Sequence, residues 1–418
     1  MSTATPPPEG HTTAAEDKAA ARARRTAIVG AMFLMATSAI GPGFITQTTT
    51  FTAQLGAAFA FAIVVSILVD IAVQMNVWRV VGVSGLRAHE LANSVLPGLG
   101  WFLTILVLLG GFVFNIGNVA GSGLGLDALM GLDPLWGGLI SAGIAIAIFL
   151  SKAAGAALDR IVIVLGVLMI LLTSYVAITS NPPVGEALRN VVMPTDLSGQ
   201  MMIAITTLIG GTVGGYITYA GAHRLLDSGT TGPENAQRIS RSSMTGILIT
   251  GVMRFVLFFA ILGVTAGGFA LGTDNPAADA FQHAAGEVGL RLFGVILWAA
   301  AITSVIGASY TSVSFLTTKN TTPRIRNLLT VGFIAICTGL YVWLGQAPVT
   351  LLIFAGAFNG IILPIGFTVI LIAIFARRDL FGGAYQHPRW LTVSGILAWG
   401  ITLYLGAMSL MRLGELFT

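Results

Sequence analysis

The chain has 418 residues, of which 55% are hydrophobic and only 9% charged, with a formal net charge of +4. A water-soluble domain carries roughly 25% charged residues, so this composition excludes a soluble globule and points to a polytopic protein of the lipid bilayer. One cysteine, Cys337 in an apolar run, excludes a disulfide framework and a cysteine metal centre, and the basic excess reads as a topology signal, not as a nucleic-acid surface.

Residues 1–25 are rich in Pro, Ala and Thr and end in "KAAARARR", which reads as a disordered cytoplasmic tail. Apolar segments of spanning length, roughly 20 residues each, then follow near 27–54, 57–78, 99–125, 132–151, 159–179, 200–221, 244–270, 289–315, 327–345, 348–376 and 391–411. The first two are separated by almost nothing, so a tight turn is expected at Gly56. With the N-terminus in the cytoplasm, Lys18, Arg22, Arg24, Arg25, Arg79, Arg87, Lys152, Arg160, Arg224, Arg238, Arg241, Lys319, Arg324, Arg326, Arg377, Arg378 and Arg389 all fall on the inner side. Only Arg189, Arg291 and Arg412 fall outside, the asymmetry expected of an integral membrane protein with about eleven transmembrane helices. A bacterial inner (plasma) membrane location is the expectation that follows.

Two spans are unlike the rest. "SAIGPGFITQTTTFTAQLG" interrupts the first with Gly41-Pro42-Gly43 and a Thr/Gln tract, and "LIGGTVGGYITYAGAH" puts four glycines into the sixth. Gly clusters alone also arise where helices pack closely. Paired Gly/Pro interruptions at matching places in two halves point to an inverted-repeat secondary transporter with its site at the bilayer midplane. Five helices separate the two starting points, and an odd number per half inverts the second copy. The expected division is a tail over 1–25 and a transporter domain over 26–418. Within that domain one repeat covers about 26–180, a second about 199–377, and an extra helix about 390–412.

These residues resemble the natural resistance-associated macrophage protein (NRAMP) family of metal transporters, which share the 5+5 inverted repeat of the leucine-transporter (LeuT) fold. Ala53-Gln54-Leu55-Gly56 stands where the family has an A-Q-F-G-like element, twelve residues after its D-P-G-N motif. The motif's place holds Gly41-Pro42-Gly43-Phe44. "WRVVGVSGLRAHELA" is similar to the family's R-L-G-x-x-T-G loop, and Gly211-Thr212-Val213-Gly214-Gly215-Tyr216-Ile217 replaces its A-T-V-M-P-H-N. The resemblance implies an all-α fold with broken first and sixth helices. It does not carry over the metal site, because the family's Asp is Gly41, its Asn is Phe44, its Met is Gly214, its tenth-span Gln is Gly356, and its acidic third-span pair is Asn115 and Asn118. A dehydrated transition-metal ion needs several donor atoms at bonding distance, and Gly and Phe side chains offer none.

What remains is backbone donors and neutral polar groups. Half-helix N-termini favour anions, and Gly41 and Gly43 let a ligand approach the backbone. The candidate substrate site is Gly41, Pro42, Gly43, Phe44, Gln47, Thr48, Gly211, Thr212, Gly214, Gly215 and Tyr216, with Asn115 and Asn118 lining the path or bonding another helix. Thr49 is a further hydroxyl on the tract, and membrane threonines also serve simply as packing residues that bond their own backbone. Asp70 and Arg254 lie inside the second and seventh spans. They read either as ion-coupling groups or as an interhelical salt bridge, with Arg254 free to snorkel.

The five histidines are scattered, mostly in loops and without metal spacing, and there is no nucleophile triad or Walker loop. No enzyme activity, metal cofactor or other cofactor is expected. The expected function is secondary active uptake of a small carboxylate-bearing organic solute coupled to H⁺ or Na⁺. The alternative is a divalent cation, Mg²⁺ or Mn²⁺, held through its water shell.

Overall fold

A computed structural model describes residues 39–318, 321–381 and 385–411, with the backbone alone for 152–163. The N-terminal tail and the stretch 27–38 of the first expected span lie outside the described residues.

Fourteen α-helices follow in chain order among the described residues: α1 (Pro42–Leu55), α2 (Phe59–Ser84), α3 (Ala88–Val95), α4 (Leu99–Met130), α5 (Pro134–Leu150), α6 (Lys152–Thr179), α7 (Val184–Val192), α8 (Gly199–Val213), α9 (Ile217–Asp227), α10 (Ala236–Ala266), α11 (Pro276–Ser314), α12 (Pro323–Leu344), α13 (Pro348–Ala376) and α14 (Arg389–Met411). Among the described residues eight helical runs are long and apolar enough to cross a membrane, or nine if α6 and α7, which meet at a 103° bend, count as one. Each expected span has its counterpart. The first two are merged in that count because α1 and α2 run together through a 3₁₀ turn at Gly56–Ala58, and α5 is shorter than the others. Gly56 takes φ 55, ψ −137, and so ends α1 where the turn was expected.

Local chemistry sets the ends. Pro134, Pro276, Pro323 and Pro348 each occupy a first helical position, where no amide is needed. Asp133 and Asn275 accept from Leu135 and Ala278 amides as N-caps. Gly85, Gly131 and Gly345 close helices in the left-handed region. Two helices start earlier than apolarity indicates: α10 at Ala236, and α11 at Pro276 with a kink at Gly286 (φ 63, ψ −160). The polar, partly exposed residues there carry no spanning signal. The same reason hides the short amphipathic helices α3 and α7.

Helices approach closely through small residues, as expected in lipid. Gly210 of α8 faces the backbone of Gly356 and Gly360 on α13, and a Cβ at Gly294 of α11 would sit 2.5 Å from the Leu129 amide of α4. The first of these contacts sets α8, one of the two spans on which the site is built, against α13.

A polar clamp ties the α2–α3 connection to the ends of α9 and α11. Arg87 is buried; it donates to the Ser314 carbonyl (2.9 Å) and to Asp227 Oδ1 (2.5 Å), while the Tyr310 hydroxyl donates to Asp227 Oδ2 (2.8 Å). His223 bonds Ser314 Oγ (2.9 Å) and accepts the Ala88 amide (3.3 Å), so this histidine is a buried strut and not a loop residue. Neighbouring His89 is held below the usual histidine range by burial and, secondarily, by Arg87, against the opposing pull of Glu90. Arg87→Ala leaves the carbonyl of buried Ser314 without this donor and takes one of two partners from the partly exposed Asp227 carboxylate, which keeps Tyr310. Thermal unfolding in detergent is expected to show about 1–3 kcal/mol of lost stability, whereas an unshifted midpoint removes the clamp from the fold's support.

At the start of α14, His387 Nε2 donates to Asn76 Oδ1 (2.9 Å), leaving Nδ1 to accept from the Tyr385 hydroxyl (3.2 Å). Burial, with a smaller contribution from Arg79, pushes the His387 ring down to about 4. A base depressed when docked binds fewer protons than when released, so its stabilisation is complete above pH ~6.5 and lost as pH falls toward ~4. His387→Gln keeps a donor without the titration. The variant is expected to flatten the acid limb of the stability profile by at most about 3 kcal/mol, measured by thermal unfolding across that range.

Candidate functional site

Both expected breaks are present. Ala39 is helical, Ile40 and Gly41 are not, and Pro42 restarts the chain as α1 after Gly41 in an extended conformation (φ −105, ψ −170). In the sixth span α8 ends at Val213, Gly214 is extended (φ −72, ψ 159), Gly215 has φ 51, and α9 begins at Ile217. The breaks leave the N-termini of α1 and α9 and the C-terminus of α8 inside the two apolar runs, and α1 packs against α8.

The expected residues collect around these breaks. Pro42 packs on Gly121 of α4, and Gly41 faces α11, since a Cβ there would stand 2.6 Å from Ser304 Oγ and 3.8 Å from Asn118 Oδ1. Gly43 lies beside Gln47 and Phe114, and the Phe114 ring meets Tyr216 edge-on at 5.6 Å. Tyr216 is buried and its hydroxyl neighbours Asn118 without closing a well-formed bond. Asn118 thus belongs to the centre. Asn115, three residues earlier, donates to Ser309 Oγ (3.0 Å) and joins α4 to α11.

Gln47 is a strut across the site. Its Nε2 donates to the Leu352 carbonyl of α13 (2.9 Å), its Oε1 has no protein partner, and the carboxamide fits against Gly211 and Gly356. Asn359 on α13, which sequence reasoning passed over, wedges beside Gly215 and donates to the carbonyls of Gly110 (3.1 Å) and Ala355 (2.9 Å). Thr48 and Thr49 are buried with unpartnered hydroxyls, whereas Thr212 spends its proton on the Leu208 carbonyl (2.9 Å).

Arg254 changes the electrostatics of this centre. It is 2% exposed, so it does not snorkel. Its Nη1 donates to Thr212 Oγ1 (3.1 Å) in the last turn of α8, and its guanidinium carbon lies 4.5 Å from the Phe44 ring centroid on α1. One cation from α10 therefore touches both broken spans. Its Nε and Nη2 have no protein partner. Asp70 of α2, 1% exposed, faces Arg254 and Thr212, yet both its oxygens are also unpartnered. The ion pairs among the described residues are Arg87–Asp227, Arg291–Glu287 and Arg377–Asp379, so the expected alternative of a closed Asp70–Arg254 salt bridge is not what forms. Among the described residues no group of three or more His, Cys, Asp or Glu is placed to hold a metal ion. The chemistry on offer is a desolvated guanidinium, two half-helix N-termini, neutral carboxamides and hydroxyls, and an aromatic wall.

A bundle of membrane helices with two spans broken around a polar centre defines a membrane transporter of the leucine-transporter type. Residues 32–412 match the family described as natural resistance-associated macrophage protein-like (Nramp), and the chain belongs to that family. It is 52% identical over 386 residues to the membrane protein YcsG of Bacillus subtilis, covering 92% of this chain and 94% of that one. It is 51% identical over 387 residues to a membrane protein of Haemophilus influenzae, covering 92% and 95%. Among solved structures it is similar to the Eremococcus coleocola manganese transporter, with a TM-score of 0.71 at 19% identity over 96% of this chain and 88% of that one. It is also similar to MhsT in complex with L-phenylalanine, with a TM-score of 0.69 at 16% identity over 92% and 98%.

Proposed function

We propose that this transporter moves a small organic solute bearing a carboxylate by alternating access, and that the carboxylate seats on Arg254 between the broken spans. The observation that carries the reading is the buried guanidinium lying against Phe44 and Thr212 with two unpartnered nitrogens, Nε and Nη2. Arg254 by itself would repel a divalent ion about 6 Å away by roughly 5 kcal/mol at an effective dielectric constant near 20; Asp70, which faces Arg254, opposes that repulsion, but no carboxylate stands at the breaks to ligate the ion. A carboxylate instead gains charge-assisted hydrogen bonds, about 1.5–3 kcal/mol each. Phe44, Phe114 and Tyr216 supply the apolar wall that an organic body needs. MhsT, of similar fold, was solved with L-phenylalanine, which supports the capacity of such a scaffold for a molecule of this kind.

The rival cargo is a divalent cation, favoured by the family and by the manganese transporter of similar fold. Purified protein in liposomes separates the two. Saturable flux of radiolabelled monocarboxylates or amino acids is expected, with Mn²⁺ and Mg²⁺ inert. Saturable Mn²⁺ flux with every carboxylate inert overturns the proposal. The placement of the tail in the cytoplasm and of the protein in the inner membrane belongs to the same reading, supported by the distribution of Lys and Arg.

A further inference from the structure

We infer that Asp70 is the resident counter-ion of Arg254, that the arriving carboxylate takes over this role, and that Asp70 is protonated as it yields. Transport is then electroneutral symport of one proton with one monocarboxylate. This inference rests on the carboxylate reading above and adds its coupling mechanism.

The geometry is that of a pair held apart. Asp70 stands twelve residues into α2, a helix running from Phe59 to Ser84, and is therefore deep in the bilayer. Both of its oxygens and two of the three guanidinium nitrogens of Arg254 are buried without a protein partner, and the two groups do not close into an ion pair. Thr212 neighbours both, donating elsewhere and accepting from Arg254. Arg254 from α10 is the charged group that faces Asp70, and Thr212 from α8 is a polar side chain against it. The unused N–H groups of Arg254 are thus available to a second carboxylate.

Charge balance supplies the rest. An ionised Asp70 and Arg254 sum to zero, a state that a low-dielectric interior tolerates. A bound carboxylate adds one negative charge there, and an uncompensated buried charge costs several kcal/mol. Protonating Asp70 restores neutrality. The proton enters with the solute from the open side, resides on a carboxylate oxygen during the crossing, and leaves to water on the other side once the solute departs. Arg254 then returns to Asp70. A sodium ion fits less well, because the Arg254 cation faces Asp70 and repels it.

The test uses the purified full chain in liposomes with a trapped pH dye and the membrane potential clamped. Counterflow of labelled carboxylate reads the transport reading by itself, and dye response reads the coupling. The wild type is expected to move protons with solute at one to one, without sodium and without dependence on voltage. Asp70→Asn is expected to exchange labelled for unlabelled solute with no pH dependence, while moving no protons and accumulating nothing against a gradient. Asp70→Glu should keep proton movement. Wild-type counterflow without proton movement, a sodium requirement, or proton coupling that survives in Asp70→Asn overturns the inference and leaves the carboxylate reading standing. Absence of counterflow for every carboxylate overturns both. Should Asp70→Asn not fold, Asp70→Glu decides the matter: a shifted pH profile of solute-driven proton movement is expected, and an unmoved one overturns the inference.

Discussion

Arg254→Met is expected to abolish saturable carboxylate uptake while the protein still folds. The substitution keeps much of the aliphatic volume but removes the charge that bridges Phe44 of α1 and Thr212 of α8. Loss of two charge-assisted bonds to the solute, at about 1.5–3 kcal/mol each, predicts a rise in apparent KM of roughly 10²- to 10⁴-fold. Arg254→Lys should recover part of this loss, since an ammonium retains the charge but lacks the planar fork that engages a carboxylate at two points. Phe44→Leu should cost less again, about 1–2 kcal/mol for a desolvated cation–π contact. This ordering, Met worst, then Lys, then Phe44→Leu, is specific to an anion anchor. Were Arg254 a cation gate instead, its removal would open the protein to Mn²⁺. Uptake of both labels by the same vesicles therefore distinguishes the two, and an unchanged carboxylate KM in Arg254→Met withdraws the anchor.

The breaks are legible in the sequence because Gly tolerates backbone that other residues avoid and Pro has no amide with which to continue a helix, as at Gly41-Pro42-Gly43 and Gly214-Gly215. The spans are legible because an apolar run of spanning length has one solution in lipid. Arg254 is visible as an intramembrane charge, but its destination is not, because the direction a long side chain takes depends on the rotation of α10 against α1 and α8. The same holds for Asn359, whose wedge beside Gly215 becomes meaningful only once α13 crosses α8. The Thr tract reads as a donor-rich lining, yet part of it is consumed locally, with Thr52 bonded to the Thr48 carbonyl and Thr212 to that of Leu208. Helix α11 begins well before its apolar run because Asn275 and Pro276 cap and start it irrespective of hydropathy.

The break in the sixth span is itself testable at Gly215. Its φ of 51 lies in the left-handed region, and an added Cβ would overlap the Asn359 side-chain oxygen. Gly215→Ala therefore combines two costs: about 1–2 kcal/mol for placing an L-residue in that conformation, and about 1–3 kcal/mol for displacing Asn359 from the carbonyls of Gly110 and Ala355. A loss of roughly 2–5 kcal/mol is expected in thermal unfolding, with transport impaired beyond the loss of folded protein because the α8–α9 junction borders the site. Gly143→Ala is the reference substitution. It sits within α5 with open space around its Cα and should be neutral or gain up to about 1 kcal/mol from helix propensity. The double variant Gly215→Ala/Asn359→Ala relieves the overlap but not the backbone conformation. It should fall short of additivity by the share that belongs to the collision, whereas strict additivity would mean that Asn359 does not brace the break.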